Sequence, residues 1–241
     1  MGLLPLDVLM RLPLAPLMLW MGTRVRRNAL VLPEASGARE GTFGEGRDVR
    51  LLILGDSSGA GVGVVTQSAA LSGQLVNALG LHCRVHWRLI AKTGATTQSA
   101  AQMLLDARGG PYDVAVLALG VNDAVRLLPL RFWRARQAKL RKILRERFGV
   151  RYICVTGVPP LEYFPALPRL LQWILGSHAR RMDGVLQEDL RTDSGAEHVQ
   201  IDMPFSRDAM AEDGYHPSAD TYRLWGQAMA KRILDVNGSS D

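Results

Sequence analysis

From residue 49 onward, short apolar runs alternate along the chain with longer segments in which apolar residues recur at helical spacing. Each run is as short and as uniformly apolar as a strand that is buried on both faces of a sheet. The apolar runs are 49–54, 84–90, 114–119, 152–156 and 199–201. The helical patterns are 66–80, 96–108, 131–148, 168–191 and 218–234. This alternation predicts an α/β fold, a three-layer α/β/α sandwich around a mainly parallel five-stranded sheet.

Three polar islands follow predicted strands, and a fourth precedes the last predicted helix. They are Gly-Asp-Ser-Ser at 55–58, Lys-Thr-Gly-Ala-Thr-Thr at 92–97, Gly-Val-Asn-Asp at 120–123 and Asp-Gly-Tyr-His-Pro-Ser at 213–218. Ligands bind to parallel sheets at the carboxyl ends of the strands. The fold would therefore bring the first three islands to one edge of the sheet, within reach of the loop before the last helix.

The four islands supply the residue types that ester hydrolysis by a serine nucleophile requires. Ser57 would attack the ester carbonyl, His216 would act as its general base and later as the acid, and Asp213 would hold the imidazole in the required tautomer. The glycines around Ser57 permit a sharp turn from a strand into a helix. The start of such a helix favours an anion.

The same islands also supply the donors of an oxyanion hole. The backbone N–H groups of Ser57 and Gly94, together with the side-chain amide of Asn122, would donate hydrogen bonds to the oxyanion. Taken alone, Ser57 is an ordinary helix N-cap, and Gly94 and Asn122 are ordinary turn residues. Their joint occurrence favours catalysis. Asp56 and Asp123 are expected to be structural, Asp123 as a cap of the segment that follows it.

Two other kinds of site fit parts of the first island. Gly59, Gly61 and Gly63 suggest a dinucleotide-binding loop, but their spacing is not Gly-x-Gly-x-x-Gly and the P-loop lysine is missing. Gly55-x-Ser57-x-Gly59 also fits the nucleophile elbow of the α/β-hydrolase fold. In that fold the serine follows several strands, whereas here it follows the first. The chemistry would be the same in either fold, and this alternative stays open.

At these residues the chain resembles the SGNH hydrolase family, the GDSL-like esterases and lipases. The residues that give that family its name are, in the family's order, Ser57, Gly94, Asn122 and His216. Asp213 stands three residues before the histidine, as in the family, and the resemblance spans roughly residues 49–232. Ser58 departs from the family name, which has Leu there. The resemblance implies a flavodoxin-like SGNH hydrolase fold and a serine esterase that needs no cofactor.

The length of 241 residues and a hydrophobic content of 47% suit one domain with a sizeable core. We expect residues 1–47 to form an apolar N-terminal segment and a linker, 48–236 the hydrolase domain and 237–241 a tail. Within the first of these, 33–47 is rich in Gly, Glu and Arg and lacks periodicity. It is therefore expected to be a linker or a loop laid over the domain.

Composition narrows the range of partners. Cys83 and Cys154 lie in apolar, strand-like surroundings and are expected to be buried free thiols. No Cys/His cluster has metal-ligand spacing, so no metal is predicted.

The net charge is +6, and the basic segment 131–151 is interpreted as a solvated helix face or as a surface attracted to anionic lipid. Nucleic-acid binding is not predicted, since no recognition motif is present. The oligomeric state does not follow from the sequence.

Residues 1–22 are strongly apolar but do not form an ordinary secretory signal, because Asp7 precedes the apolar part, Arg11 interrupts it and no cleavage site follows. Prolines at positions 5, 13 and 16 argue against one long regular helix. On a helix, Asp7 and Arg11 could pair on one side while the leucines face the other. We expect an interfacial membrane anchor, with a membrane span and a segment packed on the domain as alternatives.

Residues 1–27 would then provide a peripheral membrane contact, because Arg24, Arg26 and Arg27 follow the apolar part and are attracted to anionic lipid. If the segment spanned the membrane, the same arginines would keep the enzyme on the cytoplasmic side. The expected localisation is membrane-associated and cytoplasmic, with a periplasmic or secreted protein as the alternative.

An apolar stretch from Val158 to Trp173 follows the fourth predicted strand. Its Leu161, Phe164 and Leu167 are candidate substrate contacts in a wall that would accept an acyl chain; the alternative is ordinary core packing. We predict hydrolysis of a lipid-like or aryl acyl ester, either a small molecule or a lipid. A carbohydrate O-deacetylase and a non-catalytic, membrane-associated binding protein are the alternatives.

Overall fold

The computed structural model of the protein describes residues 5–201 and 206–238. Within these residues, six strands form one sheet. The strands are β1 (Glu40–Phe43), β2 (Asp48–Gly55), β3 (Arg84–Ala91), β4 (Val114–Ala118), β5 (Tyr152–Thr156) and β6 (Ala196–Val199). The helices are α1 (Leu6–Asn28), α2 (Leu71–Gly80), α3 (Thr97–Asp106), α4 (Val121–Val125), α5 (Leu130–Phe148), α6 (Arg169–Arg191) and α7 (Ala219–Gly238). Short 3-10 helices occupy Leu161–Tyr163 and Arg207–Ala209.

The sheet is covered by helices on both faces. Its strand order is β1-β3-β2-β4-β5-β6, and β2 to β6 run parallel. Leu52 and Leu54 of β2 face α3, α5 and α6, whereas Leu51 and Ile53 face α2 and α7. Successive side chains of a strand point to opposite faces, so one apolar run supplies both cores. This three-layer α/β/α arrangement confirms the predicted fold class.

The sheet has six strands and not the expected five, because β1 lies in the segment 33–47 that the sequence assigns to a linker or loop. β1 is antiparallel to β3, with Glu40 opposite Arg88 and Phe43 opposite Val85. All residues of β1 are exposed. The strand is therefore held by backbone hydrogen bonds at a sheet edge, and no apolar alternation marks it in the sequence.

The last strand, β6, occupies 196–199 and not the predicted 199–201. It pairs in register with β5, from Ile153 opposite Ala196 to Thr156 opposite Val199. Since β5 ends at Thr156, the hydrogen-bond ladder ends at Val199, although Ile201 beyond it is also buried. An apolar run indicates burial, and burial extends here past the paired residues.

The N-terminal segment forms one continuous helix of 23 residues, α1, so the expectation that its prolines prevent a long helix is wrong. Pro5 immediately precedes the helix, and Pro13 and Pro16 lie inside it. Each internal proline leaves the carbonyl four residues earlier without its helical partner, here those of Leu9 and Leu12. Both leucines are exposed, so water can bind the carbonyls that the prolines leave free.

A buried carboxylate fastens α1 to α6. Asp7 is only 4% exposed, and its carboxylate accepts hydrogen bonds from Arg11 at 3.0 Å and from Arg181 at 2.9 and 2.5 Å. Burial would raise the pKa of Asp7, but the bonds from both guanidinium groups outweigh burial and lower it. The predicted pairing of Asp7 with Arg11 is therefore present, on the side of α1 that faces the domain. Among the described residues, the model contains no helix with the length and apolarity needed to span a bilayer.

Candidate active site

Ser57 lies in a tight turn at the carboxyl end of β2. The turn requires two glycines, because a Cβ added to Gly55 would lie 2.6 Å from the Cα of Gly59. The N–H of Ala60 donates to the carbonyl of Asp56 at 2.9 Å and closes the turn. The expected helix does not follow directly, since residues 56–65 continue as turns and α2 begins only at residue 71. Ser57 is 7% exposed.

The structure brings the three predicted catalytic side chains together. Oγ of Ser57 lies 2.8 Å from Nε2 of His216, and Nδ1 of His216 lies 2.6 Å from Oδ2 of Asp213. Burial would raise the pKa of Asp213, but hydrogen bonds from the side chain and backbone N–H of His216 outweigh it and lower that pKa. An ionised carboxylate can only accept, so Nδ1 of His216 carries the hydrogen and Nε2 is free to accept from Ser57.

The histidine loop is rigid where it meets the serine turn. Oδ1 of Asp213 accepts the backbone N–H groups of Tyr215 at 2.9 Å and of His216 at 3.0 Å. The loop also packs directly on Gly63, whose φ is +107° and whose added Cβ would lie 2.5 Å from the carbonyl oxygen of Pro217. The positions of Ser57 and His216 are therefore coupled through backbone contact as well as through their side chains.

Asn122 and Gly94 lie beside this group. The side-chain nitrogen of Asn122 donates to the carbonyl of Ala95 at 3.1 Å and to Oδ2 of Asp56 at 3.3 Å. Gly94 adopts φ +79°, a conformation that favours glycine. Both N–H hydrogens of the Asn122 amide thus have protein acceptors, so an oxyanion would have to take one of them over.

The acidic neighbours of the site are structural, with one difference from expectation. Asp123 does not cap the segment that follows it; its Oδ2 accepts the backbone N–H and the hydroxyl of Thr97, at 2.8 and 2.9 Å, at the start of α3. Asp56 is 2% exposed and accepts the N–H of Ser58 at 3.0 Å. Burial raises the pKa of Asp56 to about 6, against the hydrogen bonds that favour its charged form.

A cavity of about 400 Å³ opens beside Ser57. Of the three candidate substrate contacts, Phe164 lines it, whereas Leu161 and Leu167 are buried in the core and do not. The cavity is also lined by residues that sequence reasoning missed, among them Tyr215 beside the histidine and one face of α6. The ring of Tyr215 packs edge-on against Phe164 at 5.3 Å between centroids. No sequence pattern could reveal the α6 contribution, because it depends on how that helix crosses the sheet.

Both cysteines are free and buried, as their apolar surroundings predict. Across residues 5–201 and 206–238, no group of three or more His, Cys, Asp or Glu side chains is arranged to hold a metal ion.

Comparison with known families identifies the class of protein. The model of the GDSL-like Lipase/Acylhydrolase family matches residues 53–224, which is more than half of the chain. The protein belongs to this family of lipases and acylhydrolases. This assignment removes the α/β-hydrolase alternative. A search of curated proteins gives no match.

Several solved structures share the fold at low sequence identity. A family 3 carbohydrate esterase from Clostridium thermocellum is 16% identical, covers 79% of this chain and 97% of its own, and superposes with a TM-score of 0.62. An inhibitor-bound aryl esterase from M. smegmatis is 16% identical, with coverage of 78% and 99% and a TM-score of 0.61. A lipase from a goat rumen metagenome is 14% identical, with coverage of 76% and 96% and a TM-score of 0.60. At these identities the likeness extends to the fold alone.

Proposed function

We propose that the protein is a serine esterase that cleaves carboxylic esters through an acyl-serine intermediate. The observation that carries this proposal is the chain of contacts from Asp213 through His216 to Ser57, 2.6 and 2.8 Å long, at the edge of a cavity. A serine hydroxyl is a weak nucleophile unless a base removes its proton, and an imidazole oriented by a carboxylate is such a base.

In the first half of the reaction, Oγ of Ser57 forms a bond to the ester carbonyl carbon while Nε2 of His216 takes the hydroxyl proton. The carbonyl double bond opens to an oxyanion in a tetrahedral intermediate. When the carbonyl re-forms, the bond to the alcohol oxygen breaks and His216 gives that oxygen its proton. The products of this half are a free alcohol and an acyl group on Ser57.

In the second half, water attacks the acyl-serine and His216 takes its proton. The second tetrahedral intermediate collapses by breaking the bond to Oγ of Ser57, which receives the proton from His216. The carboxylic acid leaves and the site returns to its starting state. Throughout, Asp213 holds the imidazole and stabilises its charged form without becoming protonated.

The oxyanion would be bound by the backbone N–H groups of Ser57 and Gly94 and by the side-chain amide of Asn122. The contact between Asn122 and the carbonyl of Ala95, next to Gly94, supports a shared position for these donors.

We propose a lipid-like or aryl acyl ester as the substrate, because the cavity beside Ser57 is lined by apolar side chains such as Leu119, Val158 and Phe164. An acetyl group would not need such a cavity. Carbohydrate O-deacetylation is the second candidate, favoured by the structural likeness to a carbohydrate esterase.

The test combines active-site labelling with a substrate series. A fluorophosphonate probe should label the wild type and the Ser58→Ala control but not Ser57→Ala, and peptide mapping should find the adduct on Ser57. A series of p-nitrophenyl esters from acetate to palmitate should show a preference for chains longer than acetate. Absence of labelling would indicate a non-catalytic binding protein, and hydrolysis of acetylated sugars alone would indicate the deacetylase.

We further propose that the outward face of α1 binds anionic membrane surfaces. Large apolar side chains are exposed along it, namely Leu6, Leu9, Leu12, Leu17, Leu19 and Trp20. The guanidinium group of Arg24 lies 5.5 Å from the ring centroid of Trp20, and Arg26 and Arg27 follow in the last turn. Exposed apolar side chains next to basic ones suit the boundary between lipid headgroups and acyl chains.

A further inference from the structure

One face of α6 lines the cavity that opens beside Ser57. Its members are Arg180, Asp183, Gly184 and Gln187, spaced by three and four residues as positions on one helix face must be. Gly184 lies at the centre of this face and is exposed. A Cβ added to Gly184 would meet no atom within 4 Å. The absent side chain of Gly184 therefore leaves open space at this end of the cavity.

Asp183, the acidic residue of this wall, has hydrogen-bond partners for both of its carboxylate oxygens. Oδ1 of Asp183 accepts the backbone N–H of Val158 at 2.8 Å and lies 2.8 Å from Nε2 of His198. Oδ2 accepts the side-chain amide of Gln187 at 3.0 Å. Asp183 thus ties α6 to the loop after β5, and its carboxylate is committed to holding the wall together.

Arg180, the basic residue of this wall, also has partners in the protein. Arg180 is paired with the carboxylate of Glu162, and its other terminal nitrogen donates to the hydroxyl of Ser177 at 3.3 Å. Both charged side chains of the wall therefore have partners in the protein. A neutral part of a substrate could therefore lie along this wall without facing an unpaired charge.

From these contacts we infer that Gly184 is a specificity-determining residue that keeps the cavity open for an uncharged acyl chain longer than acetyl. The inference rests on the proposed esterase function and adds the substrate class. The chain would run from the acyl-serine at Ser57, past Val158 and Phe164, to the face of α6. Binding energy from a remote part of a substrate can be used at the reacting carbonyl, so blocking the far end should lower turnover of long esters selectively.

The experiment compares kcat/KM for p-nitrophenyl octanoate with that for p-nitrophenyl acetate. In Gly184→Leu the octanoate to acetate ratio should fall by about tenfold or more, within the range of differences that pocket size produces. Gly184→Ala should lower the ratio less, and it should not lower the melting temperature, since alanine is the better helix former. The matched control is Glu188→Leu, which adds the same side chain at an exposed position of α6 outside the cavity. That control should keep the wild-type ratio.

Each outcome decides between the two proposals. An active, folded Gly184→Leu enzyme with the wild-type ratio would overturn the role of Gly184 and leave the esterase function standing. So would a wild type that prefers acetate to octanoate. A wild type that hydrolyses neither ester and resists fluorophosphonate labelling would overturn the esterase function itself. If Gly184→Leu does not fold, the more flexible side chain of Gly184→Met provides the same test.

Discussion

The side-chain nitrogen of Asn122 donates to Oδ2 of Asp56 at 3.3 Å, so the candidate oxyanion donor is held by the residue immediately before the nucleophile. Oδ1 of the same carboxylate accepts the N–H of Ser58. Asp56 therefore joins the serine turn to the strand-end loop that carries Asn122. Its position suggests that it orients the amide without contacting substrate.

We expect Asp56→Asn to lower kcat by about 10- to 100-fold, less than the loss of an entire oxyanion donor, because Asn122 remains but is misaligned. KM for a short ester should change little. In a double-mutant cycle the Asp56→Asn, Asn122→Ala pair should be no slower than Asn122→Ala alone. Additive losses would contradict a positioning role for Asp56.

The same variant tests the cause of the raised pKa. Asp56 binds protons more readily in the folded state, with a pKa of about 6, than at its ordinary value of 3.8. The contribution of this group to the free energy of unfolding therefore falls as pH rises from about 4 to about 6, and stays low above that. Asn does not titrate, so the stability of Asp56→Asn relative to wild type should rise over this window, by on the order of 2 to 3 kcal/mol. Urea unfolding at both pH values measures this difference, and a constant difference would contradict the assignment.

His216→Ala should be nearly as damaging as the loss of Ser57, because the serine then has no base. Asp213→Ala should be about 10- to 100-fold more active than His216→Ala, because a misoriented imidazole is still basic. Asp213→Asn should be no more active than Asp213→Ala, because its amide oxygen would accept the backbone N–H groups of Tyr215 and His216 and its NH2 would then donate to Nδ1, which leaves the imidazole hydrogen on Nε2. Single-turnover acylation rates give these comparisons.

The value of kcat/KM should rise with pH on the acidic side of neutrality, since only a neutral imidazole can take the proton of Ser57. The carboxylate of Asp213, with its lowered pKa, stays ionised over that range, whereas Asp56, whose pKa burial raises to about 6, titrates within it. The profile is therefore also measured in Asp56→Asn, in which only the imidazole of the two groups titrates. A flat profile would argue against a histidine base.

Gly63 offers a test of the contact between the serine turn and the histidine loop. A Cβ at this position must displace the carbonyl of Pro217, which it would approach to 2.5 Å, so Gly63→Ala should lower kcat by moving His216. The matched control is Gly46→Ala, which imposes a similar positive φ but meets only the carbonyl of His82 at 3.9 Å. Both variants should lose about 1 to 3 kcal/mol of stability through backbone strain. Only Gly63→Ala should lose activity, and equal activity in the two variants would contradict the coupling.

The sequence predicts those parts of the fold in which one residue pattern recurs, namely an apolar run followed by a turn of glycine and polar residues. Buried parallel strands need apolar residues on both faces, and the turns at their ends need glycine and polar residues. For this reason β2 to β5 and the islands around Ser57 and Asn122 are visible in the chain. β1 is not, because an exposed edge strand is stabilised by backbone hydrogen bonds that any residue can form.

The rest of the candidate site depends on contacts between distant segments. The pair of Asp56 with Asn122 spans 66 positions, and the approach of Gly63 to Pro217 spans more than twice as many. The face of α6 around Gly184 contacts the loop after β5 through Asp183 and Val158, 25 positions apart in the chain. Neither local propensity nor periodicity contains this information.

The inner and outer sides of α1 carry different residues, so their roles can be tested separately. Asp7 binds Arg181 on the inner side, whereas Leu12 on the outer side is 85% exposed. Replacing Leu12 and Leu19 by Gln should weaken binding to anionic vesicles, measured by sedimentation, by about 100-fold or more, because each leucine loses most of its favourable transfer into the lipid interface. The melting temperature and the hydrolysis of a soluble ester should stay unchanged.

The complementary variant, Asp7→Ala, leaves the guanidinium of Arg181 without its buried partner and should destabilise the protein by about 1 to 3 kcal/mol. Its sedimentation with vesicles should not fall, since the outer leucines remain.

High salt should weaken vesicle binding of the wild type, through screening of Arg24, Arg26 and Arg27. If the Leu12 and Leu19 substitutions lower the melting temperature and leave vesicle binding unchanged, α1 serves to complete the core and the membrane proposal is wrong.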